Sequence, residues 1–323
     1  MSAVARGLTS PKYRPYQFLV GTMLLLVVLD WNGGRFLTSA TVFSVLQTFG
    51  TLGPAALGLG MTMLVREFDL SIAGVFGLAG CVAVLTGGDH AWLGLLLGIL
   101  TGAAFGLVQG LIITSLGLPS IAVTLGGLLI AVGLAFVLTE SQSIVYGNLD
   151  LALRLNERIA TVFSARSLIA FATFVVAAIV LGFTRIGRDM IALGSDRRSA
   201  EIVGLNVKMI LIGTFVCSGA LAAGSGALLS YSLTSGSPSG LSDVLVPAAA
   251  AAILGGVSLS GGTGTPAGIA AGVLTLAVMR AGLNAIGAPP YAHDLAMGAI
   301  LLAVAVLDAP RLGQNLSRLF KRQ

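Results

Sequence analysis

Residues 185–208 read RIGRDMIALGSDRRSAEIVGLNVK, and how this stretch is placed decides the fold. It holds Arg185, Arg188, Asp189, Asp196, Arg197, Arg198, Glu201 and Lys208, yet it stands between two long apolar runs at about 167–184 and 208–232. So polar an island cannot sit in lipid. It is therefore either a solvated loop or a docking surface for a soluble partner, with membrane spans on both sides.

The rest of the chain supports that setting. Of 323 residues, 56% are hydrophobic and only 10% are charged. Mean hydropathy is +0.97, leaving too few charges to coat a soluble globule. A helix needs about 20 apolar residues to cross a hydrocarbon core. Such runs fall at about 16–31, 44–65, 69–87, 91–115, 119–139, 167–184, 208–232, 244–260, 265–286 and 290–308. The expected fold is an all-α, polytopic integral membrane bundle of about ten transmembrane helices. Neither the alternating ten-residue segments nor the aromatic girdles of a membrane β-barrel are visible.

A net charge of +5 would suggest nucleic acid in a soluble protein, but here the basic residues follow the membrane, and no nucleic-acid partner is expected. Arg6, Lys12, Arg14, Arg66, Arg185, Arg188, Arg197, Arg198, Lys208, Arg311, Arg318, Lys321 and Arg322 fall on one side of the ten spans. Arg35, Arg154, Arg158 and Arg166 fall on the other, and Arg280 lies within a span. This bias predicts that both termini are cytoplasmic. Residues 1–15 are then a cytoplasmic segment, 16–308 the transmembrane domain and 309–323 a cytoplasmic basic tail. The first apolar run follows basic residues as in a signal peptide, but no small-residue cleavage site precedes Asp30 and Trp31, so an uncleaved span is expected. Cys81 and Cys217 both fall in spans without CxxC spacing, and each is expected to be a small buried hydrophobe.

Three features organise the spans. The external connection 140–166 carries Tyr146, Asn148, Asp150, Asn156 and Glu157, enough for a small cap or an interfacial helix that meets an extracytoplasmic partner. Gly94, Gly98, Gly102, Gly106 and Gly110 recur every fourth residue and form a drifting ridge, where a neighbouring helix can approach closely. Pro54, with Gly53, Gly58 and Gly60, is expected to interrupt the second span, while Pro119 and Pro247 stand near the starts of the fifth and eighth.

Three ordered patches resemble the permease subunits of ribose-type (monosaccharide) ABC importers. In the island, Gly187-Arg188 precedes Ala192-Leu193-Gly194, then Asp196, then Gly204-Leu205-Asn206-Val207. Glu67-Phe68-Asp69-Leu70-Ser71 is similar to the family's Asp-Leu-Ser motif. The third patch runs from Ile253 to Gly262, through Gly264 and Gly268, to Gly282-Leu283-Asn284. The likeness covers about residues 40–308. It implies that a cytoplasmic ATPase docks on Gly187, Arg188, Asp196, Arg197, Arg198, Glu201, Gly204 and Asn206, with ATP and Mg bound by that ATPase and no cofactor bound by this chain. It also implies an extracytoplasmic substrate-binding protein, a second permease subunit, and a place in the bacterial inner membrane. Physics agrees locally: Asp196 is suited to N-cap a short helix at 197–203, and Gly204 suits the left-handed position beyond its end.

The chain departs from the family at three places. Asp196 stands for the usual Asn, and Arg66 stands where a small or hydroxyl residue is common. Leu245 and Pro247 occupy positions where the family commonly carries Glu and Asp, with Asp243 nearby but out of register.

No Gly-Lys-Ser/Thr phosphate loop occurs, so ATP hydrolysis is expected on another polypeptide and the chain is not itself an enzyme. Gly255–Gly264 reads as the end of a span with a tight turn. His90 and His293, each beside an aspartate, make neither a zinc site nor a proton relay. An ionisable group inside a span costs at least about 2.5–3.5 kcal/mol on insertion scales, so Arg280 and Asp294 are expected to line the pathway or to pair. Gln47, Thr48, Thr51, Gln109, Thr124, Ser230 and Asn284 are further candidates to face the interior, suited to a sugar's hydroxyls. The expected function is a permease importing a monosaccharide by alternating access. The same likeness also admits an autoinducer-type signal, a nucleoside or a branched-chain amino acid as cargo. An ion-coupled secondary transporter would need midplane charges that this chain scarcely has.

Overall fold

The computed structural model describes residues 13–308, apart from 32, 35, 240 and 241. The expected cytoplasmic N-terminal segment, up to residue 12, and the expected basic tail, 309–323, lie outside the described residues.

Thirteen α-helices follow in order among the described residues: α1 Arg14–Leu29, α2 Ser39–Leu64, α3 Ile72–Thr86, α4 Ala91–Leu116, α5 Ser120–Leu138, α6 Leu149–Asn156, α7 Ala165–Phe183, α8 Arg185–Ser195, α9 Arg197–Ile202, α10 Val207–Ser232, α11 Leu245–Leu254, α12 Pro266–Ala285 and α13 Tyr291–Asp308. Six of them (α2, α4, α5, α7, α10 and α12) are long and apolar enough to cross a membrane. The shorter apolar helices α1, α3, α11 and α13 occupy the places of the other expected spans. The chain is thus a helical membrane protein.

Helix ends are set by local chemistry. Thr38 caps α2 by accepting from the Thr41 amide at 3.2 Å, and Thr265 caps α12 by accepting from the Gly268 amide at 3.0 Å. At α7 the cap is reciprocal, with Ser164 and Ser167 each accepting from the other's backbone amide. Gly117, with φ +65°, ends α4.

Helix α10 is the central column, packing against α4, α3 and α2, while α12 packs on α2, α1 and α11. Helix α3 is buried along almost its whole length. The outer helices instead present large apolar side chains, such as Leu129 and Val137 on α5 and Leu24 and Val28 on α1. In water such surfaces would drive aggregation, whereas in lipid they are the natural boundary.

The five glycines of α4 are buried, and those from Gly98 to Gly110 face α10. A Cβ on Gly102 would run into the Gly219 carbonyl oxygen, and one on Gly106 into that of Phe215. Backbone meets backbone there, as small-residue seams in membranes allow.

Three expectations are corrected. Helix α2 runs unbroken through Pro54, and in the turn before the proline the Ser225 hydroxyl of α10 donates to the Thr51 carbonyl. The apolar run at 244–260 is helical only to Leu254. Gly256, at φ +80°, ends α11 there in a Schellman turn, with Gly256 N donating to Ile253 O at 2.9 Å and Val257 N to Ala252 O at 3.0 Å. Cys81 is buried, but Cys217 is exposed on the outer face of α10.

The 140–166 connection folds as a cap over one end of the bundle. Strand β1, Ile144–Val145, pairs antiparallel with β2, Ser235–Gly236, and α6 follows. Tyr146 stacks on Tyr231 at 4.5 Å, and their hydroxyls donate to the carbonyls of Gly87 and Ala83 respectively.

Candidate functional site

The three sequence patches that lie far apart in the chain meet at the end of the bundle opposite the cap. The 185–208 island is two helices rather than a loop holding one. Helix α8 is amphipathic, with Gly187, Met190, Leu193 and Gly194 buried and Arg188 exposed. Gly194 packs directly on the Leu64 carbonyl at the end of α2 and beside Gly262 of the 255–264 turn. Gly262 N in turn donates to the same Leu64 carbonyl at 2.9 Å.

Helix α9 is short and closed at both ends. Asp196 Oδ1 accepts from the Arg198 amide at 3.0 Å and the Ser199 amide at 3.4 Å, and the Ser199 hydroxyl donates to Oδ2 at 2.7 Å. These bonds, the Ser199 hydroxyl's foremost, hold the Asp196 carboxyl below the usual carboxylate range. Gly204, at φ +84°, completes a Schellman turn, with Gly204 N donating to Glu201 O and Leu205 N to Ala200 O. What α9 shows to solvent is Arg197, Arg198 and Glu201, with Ile202 and Val203 exposed at 78% and 74%. Charged groups around an uncovered aliphatic pair suit a protein partner. The aliphatic pair escaped the sequence reading because hydrophobic residues beside an apolar span look like part of it. Asn206, also exposed, caps α10, its Oδ1 accepting from the Met209 amide at 3.2 Å.

Two residues not counted among the docking residues, Arg66 and Glu67, tie this end to the bundle. Arg66 occupies the left-handed position of the Schellman turn ending α2, at φ +66°, where glycine is usual. Its Nη2 donates to the Ser195 carbonyl at 2.5 Å, fixing the end of α8. Glu67 lies 3.5 Å from Arg197, which also faces Glu201 at 3.6 Å. Two residues on, the buried Asp69 accepts from Ser71 Oγ at 2.6 Å and from Ser218 Oγ of α10 at 2.7 Å. The short segment 66–69 therefore makes polar contacts with α8, α9 and α10.

Gln109 and Thr124, expected along the pathway, belong to this frame. Thr124 Oγ1 accepts from the Leu70 amide at 3.1 Å, and the Gln109 side-chain amide lies 3.1 Å from Ser71 Oγ. They brace the 67–71 turn, whose backbone has no helix of its own to satisfy it. Ser230 is buried without a hydrogen-bond partner.

Nearer the cap lies a polar cavity of two joined chambers, about 450 and 300 Å³. Thr48, Leu52, Asp243, Pro247 and Arg280 line both. Gln47, Thr51 and Arg166 line the first chamber, and His293 and Asp294 the second. Among the described residues no ion pair joins Arg280 to Asp294. Asn284 lines neither chamber and instead meets His293 Nε2 at 3.0 Å. Arg166, counted from sequence with the external loop charges, is only 6% exposed and forms the back wall of the first chamber. Its Nη groups donate to Gln47 Oε1 at 2.7 Å, Thr51 Oγ1 at 3.1 Å and Asn156 Oδ1 at 3.3 Å. A basic residue one position inside a capped helix reads from sequence like a loop charge, which is why it was missed. Among the described residues no cluster of His, Cys, Asp and Glu could hold a metal ion.

A helical membrane bundle with a polar cavity near one end and a capped, exposed helix at the other defines a membrane transport component. The family described as branched-chain amino acid transport system / permease component matches residues 41–305, and the chain belongs to it. A probable ABC transporter permease protein of Sinorhizobium fredii is 32% identical over 315 residues, covering 94% of this chain and 91% of the relative. The L-arabinose transport system permease protein of Escherichia coli is 30% identical over 295 residues, 89% of each chain. The ribose import permease protein of the same species is 28% identical over 294 residues, covering 90% of this chain and 91% of the relative. No solved structure gives a significant match. The protein is a permease subunit of the ABC-importer kind, multi-pass in the inner membrane, and a transport component rather than an enzyme.

Proposed function

We propose that the chain is the channel-forming subunit of an ATP-driven, binding-protein-dependent importer of a monosaccharide such as ribose or a related sugar. The carrying observation is the convergence of three separated sequence patches around α8 and α9, at the opposite end of the bundle from the polar cavity. In this reading there are ten crossings with both termini cytoplasmic. The four shorter apolar helices span by joining the loops and turns that continue them, and the family's partners place a function at each end. A cytoplasmic ATPase, holding ATP and Mg, seats α9 through Arg197, Arg198 and Glu201 with Ile202 and Val203 between them. A substrate-binding protein delivers sugar over the α6 cap, and a second permease subunit closes the open side of the cavity.

Mechanism follows from stiffness. Closure of the ATPase moves α9, and the Arg66, Glu67 and Asp69 contacts carry that displacement into α2, α8 and α10 as a rigid-body shift rather than a local bend. The cavity then changes the side to which it opens.

The test is ATP-driven sugar uptake in vesicles holding the chain with its ATPase and binding protein. Replacing both Arg197 and Arg198 by Glu should abolish uptake while membrane insertion and basal ATPase activity persist. Unchanged uptake would remove α9 as the docking element. Uphill transport by the chain alone on a proton or sodium gradient would remove the importer reading itself.

A further inference from the structure

We propose that the first chamber is built for an anionic, polyhydroxylated substrate, a sugar acid carrying one carboxylate, with Arg280 as the group that meets that carboxylate. This rests on the importer reading above and narrows its cargo.

Charge carries the inference. Two arginines, Arg166 and Arg280, line the first chamber against one carboxylate, Asp243. Gln47 Oε1 takes both Arg166 Nη2 and the Ser164 hydroxyl, and Thr51 Oγ1 takes Arg166 Nη1. The Thr48 and Thr51 hydroxyl hydrogens are spent on carbonyls of their own helix, so these oxygens can only accept, which suits the hydroxyl hydrogens of a polyhydroxylated molecule. Arg166 is buried, donates only to neutral oxygens, and leaves its Nε without an acceptor. Arg280 lines both chambers, is exposed to them, and has no ion-pair partner among the described residues.

A buried guanidinium without a carboxylate is costly, and its field persists at short range in a cavity of low dielectric. Together the two guanidinium groups make a wall that a carboxylate complements with charge-assisted hydrogen bonds, which are stronger than those a neutral hydroxyl accepts. Asp243, the one carboxylate on the first chamber, is placed to take hydroxyl hydrogens from the rest of such a molecule. Pro247 also lines that chamber, where the resembled family commonly carries an acid. An acid there would have neutralised the wall.

The experiment measures the thermal unfolding midpoint of the purified full-length chain in lipid nanodiscs during titration with D-galacturonate, D-galactose or D-galactose 1-phosphate. A ligand that binds only the folded state raises the midpoint in proportion to its occupancy, which yields an apparent Kd. Galacturonate is expected to bind at least about tenfold tighter than galactose. That preference should vanish in Arg280→Gln, survive in part in Arg280→Lys, and shrink as ionic strength rises. Equal or tighter binding of galactose, absence of galacturonate binding, or an Arg280→Gln variant that keeps the preference would overturn the proposal. Tighter binding of the phosphate would overturn the carboxylate assignment. Binding of galactose alone leaves the importer reading standing, because that reading fails only in the vesicle assay.

Discussion

Asp196 stands where one proton can undo a structure. Its carboxylate supplies the N-cap of α9, and hydrogen bonds from the Ser199 hydroxyl and the Ser199 and Arg198 amides keep its pKa below the ordinary range. A depressed folded-state pKa means that the carboxylate's contribution is present above the unfolded value and is lost as pH falls through the folded one. Amide exchange of residues 197–203, after correction for the intrinsic pH dependence of exchange, should therefore quicken several-fold on acidification. Asp196→Asn caps about as well without titrating, so it should keep the slow exchange and lose the pH response, whereas Asp196→Ala should exchange fast throughout. A pH response that survives in Asp196→Asn would show that another group controls the helix. Asp196 and Gly204 were legible because capping is local chemistry. The Glu67 contact with Arg197 was not, since nothing in two segments 130 positions apart signals that a fold will bring them to 3.5 Å.

At the scale of elements, the seam between α4 and α10 shows what periodicity does and does not reveal. A glycine at every fourth position announces a close approach, yet it does not name the partner. The structure supplies the partner, with Gly102 and Gly219 each lying against the other's carbonyl oxygen. Gly102→Leu must push the two backbones apart, at a cost of about 1–3 kcal/mol or more for overpacking. A fall in the detergent unfolding midpoint of several degrees is expected. Gly133 on α5 has open space where a Cβ would stand, with nothing within 4 Å, so Gly133→Ala should be neutral or stabilise slightly through helix propensity. Equal midpoints for both variants would mean that α4 does not pack on α10 through this face. Hydropathy located the helices to within a few residues almost everywhere, because lipid selects for long apolar runs. It failed at Pro54, where the helix continues in a packed bundle, and at Leu254, where a left-handed glycine ends it.

On the scale of the whole molecule, the arrangement requires the two ends to be chemically separate compartments. Helix α10 has Asn206 at its start beside α9 and Ser232 at its end, where Asn156 of α6 donates to the Ser232 carbonyl at 3.0 Å. Its 26 residues extend about 39 Å at a rise of 1.5 Å each, more than the roughly 30 Å hydrocarbon core. The α6 cap and α9 must then lie on opposite faces of the bilayer if α10 crosses it. In the proposed topology that end is cytoplasmic, in keeping with the excess of Lys and Arg around α9. In a variant with Cys81 and Cys217 replaced by Ala, single cysteines at Asp150→Cys and Ser199→Cys report the two ends directly, because residues 150 and 199 are exposed. A membrane-impermeant thiol reagent added to intact spheroplasts should label position 150 and spare position 199, and inside-out vesicles should reverse the pattern. Labelling of both positions from one side would show that α10 does not cross as a single column, and the separation of docking end from cavity would then fail with it.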